Sequence, residues 1–226
     1  MRWDSKKRRY VDEDGRVLSP AQVRREVHDY VEGEKDKTEK EALKLLAETI
    51  TLTAFFHFMK SRVEKWHTVT GAIAYGGQAQ LDPERKARIA AKIESELAFL
   101  NGFRNDTSKA FAEARANDLT ITEAAGFVPA RAAMYADAAY STYENNVMAR
   151  EFDEGVTMGR RVCPEDDASC EECVDAASTF FSTLEDIEEI GTLQCLNNCR
   201  CYIEYADAPL TANVVVDRTQ QSDAVQ

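Results

Sequence analysis

The sequence lacks a long apolar run. None reaches the roughly 18 residues that a membrane helix needs, and the best stretch, Thr49 to Met59, carries His57. Glycine (10) and proline (5) are scarce among 226 residues, which excludes fibrous and linker-rich architectures. Cysteine is missing from the first 162 residues. A positive balance is missing too: 28 Lys and Arg face 40 Asp and Glu, a formal charge of −12. Proteins that grip nucleic acid through phosphates usually show the opposite balance. No Gly-rich phosphate loop, catalytic triad or metal-hydrolase motif is present, so no enzyme is expected. The stretch after Met1-Arg-Trp-Asp-Ser-Lys-Lys-Arg-Arg has no apolar segment of the kind a secretory signal carries. What is present, 44% hydrophobic and 30% charged residues, suffices for a sizeable core and points to a soluble protein outside the membrane.

The order of elements follows from turn and period signals. Tyr10-Val11 and Arg16-Val17-Leu18 flank Asp12-Glu13-Asp14-Gly15, which reads as a small hairpin. Ser19-Pro20 opens a helix expected to reach about Glu32, with Val23, Val27, Tyr30 and Val31 on one side. From Lys37 to Thr68 the period is again helical, with Leu52, Phe55, Phe56, Met59, Val63 and Trp66 in one stripe. Gly71 to Gln80 breaks it, and Asp82-Pro83 starts a second long helix running past Gly102 towards Arg115, forming an antiparallel pair with the first. Thr120 to Glu123 marks another start. After Gly126 to Pro129, a helix of about 25 residues carries Ala132, Tyr135, Ala136, Ala139, Tyr140, Tyr143 and Val147, a pattern of close packing. Thr157 to Val162 and Cys201 to Tyr205 read as short strands. Most basic residues alternate with acids at helical spacing; Lys6, Lys7, Arg8 and Arg9 are the one compact basic cluster and the one candidate DNA contact, a weak one.

All six cysteines fall between residues 163 and 201. Five form Cys170-x2-Cys173, a gap of 21 residues, then Cys195-x3-Cys199-x-Cys201. A Cys-x2-Cys pair sets two thiolates on one metal from a tight turn, and the second group closes a tetrahedron across the gap. Zinc suits four sulfur ligands and gives a segment too small for its own core a fixed shape. The preferred ligands are Cys170, Cys173, Cys195 and Cys199, with Cys201 as the alternative; Cys163 stands outside the pattern, in the core. Disulfides and plain thiols are the competing readings. His28, His57 and His67 all lie in the helical part, so an open catalytic site is not expected, although Glu171 and Glu172 sit inside the knuckle.

From Tyr140 to Tyr205 the chain resembles the C-terminal part of the Mu F-like head morphogenesis (minor head protein) family of tailed double-stranded DNA bacteriophages. The resemblance is carried by the Tyr/Ala-rich helix, Arg160-Arg161-Val162, Cys170-Glu-Glu-Cys173, Gly191-Thr192-Leu193 and Asn198-Cys199-Arg200-Cys201-Tyr202-Ile203-Glu204-Tyr205. Many members have His-Pro-x-Cys before the closing motif; here Cys195-x3-Cys199 stands instead, which favours Cys195 in the place of the histidine. The Asp14-Gly15-Arg16 and Ser19-Pro20 opening resembles some such proteins more weakly. The resemblance implies a structural minor protein of the phage head near the portal, acting in head assembly and genome packaging or delivery. Its implied partners are the portal and/or the major capsid protein, with further copies of itself in the particle, and its implied location is the virion, with host cytoplasm during assembly. The rival reading is a zinc-dependent nucleic-acid-binding regulator or packaging accessory, against which the net charge weighs.

The expected architecture is therefore mainly α: long antiparallel helices with a small C-terminal cysteine-rich, zinc-stapled β module. Its expected parts are an N-terminal hairpin arm (1–18), a helical body (19–155), a zinc-knuckle module (156–206) and an extended tail (207–226).

Overall fold

The computed structural model describes residues 1–164, 170–177, 180–192 and 201–206. It is mainly helical, with two small antiparallel sheets. Ser19 opens α1 (Pro20–Leu46): its Oγ accepts from the Gln22 N–H and the Gln22 side chain accepts from the Ser19 N–H, a reciprocal cap that satisfies two orphan donors. The expected stop near Glu32 does not occur. The buried positions Val23, Val27, Val31, Glu34, Thr38, Ala42 and Leu45 continue one stripe at steps of four and three straight through Gly33. The chain turns at 47–51 instead, where Glu48 adopts φ +54 and Thr51 caps the next helix through the Ala54 N–H. Two expected segments are thus redrawn as α1 and α2 (Leu52–Ala74).

Gly71, expected in the break, lies inside α2. A Cβ there would meet Ile89 of the next helix at 2.6 Å, so glycine lets the two helices approach closely. Asp82 and Pro83 start α3, whose Asp82 side chain accepts from the Arg85 N–H at 2.9 Å. α3 (Pro83–Ala116) runs unbroken through Gly102, and α4 (Ile121–Ala125) and α5 (Val128–Asp153) follow.

Side-chain pairs fix the helix directions. Phe56 meets Phe103 and Gly71 meets Ile89, so α2 and α3 are antiparallel. Arg24 meets Glu144 and Lys35 meets Asp137, so α1 and α5 are antiparallel as well. α5 also packs along α2 and is buried on most sides, which explains its alanines: Ala132, Ala136, Ala138 and Ala139 let the neighbouring helices come close. Phe55, Phe56, Phe103 and Tyr135 pack with ring centroids 5.1 to 6.4 Å apart and fill one end of the core.

The N-terminal segment is a three-stranded meander rather than a hairpin alone. β1 (Arg2–Asp4), β2 (Arg9–Val11) and β3 (Val17–Leu18) pair in that order, with Trp3 opposite Tyr10 and Tyr10 opposite Leu18. Beyond α5, β4 (Met158–Val162) pairs antiparallel with both β5 (Ser182–Thr183) and β6 (Tyr202–Tyr205), and the short helix α6 (Glu171–Ala176) lies between β4 and β5 in sequence. The tail after Pro209 lies outside the described residues. Among those described, no helix is long and apolar enough to cross a membrane.

Candidate functional sites: the cysteine module and a cationic cleft

Cys170 is the N-cap of α6. Its Sγ accepts the Cys173 N–H at 3.3 Å, the role a Ser or Asp oxygen usually fills. Cys163, Cys173 and Cys201 are buried in one apolar cluster with Val156, Leu184, Ile190 and Ile203, and Cys170 packs against it. The Arg161 side chain is buried in the same place, with Nη2 3.9 Å from Cys173 Sγ. That guanidinium is a ready counter-charge for a thiolate, the form in which cysteine binds metal. The donor set fits a thiophilic ion such as zinc: two sulfurs on a tight turn and a third, Cys201, in the same cluster at the start of β6. Cys195 and Cys199 lie outside the described residues, and among those described no three His, Cys, Asp or Glu side chains form a ligand set. Glu171 and Glu172 are exposed in the first turn of α6, where acidic side chains favour the helix dipole. The histidines stand apart: His28 and His57 are exposed on α1 and α2, and His67 is buried between α2 and α5.

The module is held to the helical body by α5. The Asn145 amide clasps Ile190, accepting from its N–H at 2.8 Å and donating to its carbonyl at 3.0 Å. One residue earlier, Glu144 is completely buried and accepts from Arg24 Nε at 2.6 Å. Burial pushes the Glu144 carboxyl up, opposed by Arg24, the Tyr140 hydroxyl and the Ile203 N–H of β6. The Arg24 guanidinium in turn lies 4.3 Å above the Tyr202 ring. The charge pair therefore spans α1, α5 and β6.

The arm is held by the next turn of the same helix. Arg150 is 2% exposed; it donates to the Tyr10 hydroxyl at 2.6 Å and to the Ala74 carbonyl, pairs with Glu151 at 2.7 Å and stacks 3.5 Å from the Trp3 ring. Glu151 also accepts from Arg8, and Trp3 Nε1 donates to Glu154 at 2.7 Å. Burial raises the Tyr10 hydroxyl despite Arg150, so it stays protonated at neutral pH. Gly76 (φ +87) closes the arrangement, since a Cβ there would stand 2.1 Å from the Trp3 backbone nitrogen.

Between arm, α1, α5 and β6 these contacts leave a cleft of about 700 Å³. Lys6, Lys7, Arg8, Arg24 and Arg150 line it, against Glu151 and Glu204. The basic cluster expected as an N-terminal tail is thus a turn between β1 and β2 at the mouth of a cleft, although Arg9 is not among the lining residues.

The sequence pointed to cysteines and to Lys6–Arg9 but not to Arg24, Glu144, Arg150, Glu151 or Arg161. One signal was available: Glu144, Arg150 and Glu151 belong to a helix rich in alanines and tyrosines and packed on several sides, where a charge must find a partner. No family model matches the chain, and no curated protein and no solved structure matches it significantly.

Proposed function

We propose that the chain is a non-enzymatic structural protein of the head of a tailed double-stranded DNA bacteriophage, acting near the portal in head assembly and in genome packaging or delivery. The observation that carries this reading is the resemblance of Tyr140–Tyr205 to the minor head protein family. Its residues include those that join the module to the body: Tyr140 and Ile203 flank Glu144, and Arg161 reaches Cys173. A body of long helices with large apolar side chains left outside, including Phe99 and Leu43 at 62% and 56% exposure, suits a protein surrounded by subunits. Its partners are the portal, the major capsid protein and sister copies, with zinc as a structural staple of the module.

Quantitative mass spectrometry of purified particles of the encoding phage tests the assignment. A fixed, low copy number per particle that survives salt washing is expected; absence from the particles sinks it. The zinc is tested separately by elemental analysis of the purified protein with thiol counting before and after chelation. About one zinc per chain is expected, with four thiols unmasked by the chelator. In the Cys170→Ser, Cys173→Ser double variant the metal should be lost and the module become protease-sensitive. Full metal retention in that variant would remove the pair from the ligand set.

A further inference from the structure

We propose that the cleft between the arm, α1, α5 and β6 binds the phosphate backbone of single-stranded nucleic acid. This goes beyond the head-protein assignment and does not depend on it.

The first ground is charge. In a chain of net charge −12, cations outnumber acids in the cleft lining. Glu151 is engaged by Arg150 and Arg8, Glu204 by Arg160 at 2.6 Å and Arg24 by Glu144 at 2.6 Å, so the charge left over in the lining is that of the two lysines. Lys6 and Lys7, exposed at the mouth, form no ion pair among the described residues. The N-terminal end of the 27-residue α1, with Ser19, Pro20 and Ala21 in the lining and no acidic residue in its first turn, adds the positive end of its dipole.

The second ground is independent of exposed charge. The Arg150 side chain is 3% exposed and lines the cleft, yet its Nε has no hydrogen-bond partner among the described residues. The buried Tyr205 hydroxyl, also in the lining, has none either. Buried donors without acceptors are costly, and an acceptor-rich ligand would satisfy them.

The third ground chooses the ligand. Trp3, Phe181 and Tyr202 are part-exposed rings in the same lining. Each ring has an arginine over one side, Arg150 on Trp3, Arg160 on Phe181 and Arg24 on Tyr202, and cations and rings in one lining suit a flexible strand, whose phosphates take the charges and whose bases stack beside them. A duplex is too wide and stiff to enter a cavity of this volume, and its bases are already stacked.

The test is fluorescence anisotropy of a labelled 12-nucleotide oligo(dT) with the full chain in 50 mM salt. Saturable binding is expected, with affinity falling roughly tenfold between 50 and 200 mM salt if two or three phosphates are engaged. Lys6→Ala with Lys7→Ala should weaken binding at least fivefold; Lys60→Ala with Lys65→Ala, on α2 away from the cleft, should not change it. Tyr202→Ala should weaken binding with little change in the salt slope. Unlabelled duplex of the same length should compete at least tenfold more weakly than the single strand. No binding up to about 100 μM protein, equal competition by duplex, or binding indifferent to the Lys6/Lys7 change would each overturn the proposal.

Discussion

His67 makes the fold acid-sensitive. Its ring is completely buried between α2 and α5, with Nδ1 2.6 Å from Thr142 Oγ1. Thr142 Oγ1 also lies 3.3 Å from the Ala138 carbonyl, and Nε2 has no partner among the described residues. The charge that acts on it is the Lys92 ammonium of α3, itself paired with the buried Glu96 at 2.8 Å. Burial first and Lys92 second push the imidazole down from 6.5 to about 3. The folded state therefore refuses a proton that the unfolded chain accepts. The contribution to stability is fully present above 6.5 and is lost as pH falls from there towards 3. Each unit of pH below 6 costs about 1.4 kcal/mol, so lowering pH from 7 to 5 should remove about 2 kcal/mol through this one residue. The assay is urea denaturation of wild type and His67→Asn at pH 7, 6 and 5. The variant is less stable at pH 7 because it leaves a void, yet its difference from wild type should shrink by about 2 kcal/mol at pH 5. Asp137 and Glu144, whose carboxyls burial pushes up against Lys35 and Arg24, change stability with the opposite sign at lower pH, and they cancel in this difference. A wild-type-minus-variant gap that stays constant with pH would refute the reasoning.

Two further perturbations probe what holds the appendages. Gly76→Ala forces a side chain into the Trp3 backbone at a left-handed position, so the arm should detach; a loss of about 2 to 3 kcal/mol in thermal unfolding, with early proteolytic cleavage before residue 19, is the expected result. Arg24→Met leaves Glu144 buried without its counter-charge and should cost about 3 to 5 kcal/mol, whereas Arg24→Met combined with Glu144→Leu should recover part of that loss. A double variant no more stable than Arg24→Met would mean that the unpaired carboxylate is not the cause.

The helix ends were legible where the chemistry was local. Ser19-Pro20, Asp82-Pro83 and Thr120-x-x-Glu123 each announce a cap, and each forms. The turn after α1 was misread because two positions of its buried stripe, Glu34 and Thr38, are polar. Glu34 is buried by accepting from Trp66 Nε1 at 2.8 Å and pairing with Lys37 and Arg62, and Thr38 by donating to the Glu34 carbonyl. Trp66 and Arg62 belong to α2, so from the residues of α1 alone the stripe reads as ending at Val31. β1 was missed for a similar reason. Arg2-Trp3-Asp4 has no apolar alternation, and it becomes a strand because Tyr10 and the flat edge at Gly76 accept Trp3. The cleft was invisible in principle: its cations come from the first 24 residues and from residue 150, and only the antiparallel register of α1 on α5 joins them.

That register gives α5 a role no single motif announces. Within three turns it offers Thr142 to His67 of α2, Glu144 and Asn145 to the cysteine module, and Arg150 and Glu151 to the arm. Asn145 loses both of its Ile190 bonds if the module lifts, and Tyr10 loses Arg150 and Trp3 loses Glu154 if the arm does, so a partial release is penalised in lost contact and in lost hydrogen bonds. Arm and module also share walls of one cleft, Tyr10 and Arg8 on one side and Tyr202 to Tyr205 on the other. Both are attached to the same rigid, alanine-packed helix, so neither can shift without altering the charge spacing that the other faces. A phosphate seated between them would therefore be read by a surface whose geometry is set by the helical body, while Ile203, next to Tyr202 in β6, packs in the apolar cluster that holds Cys163, Cys173 and Cys201.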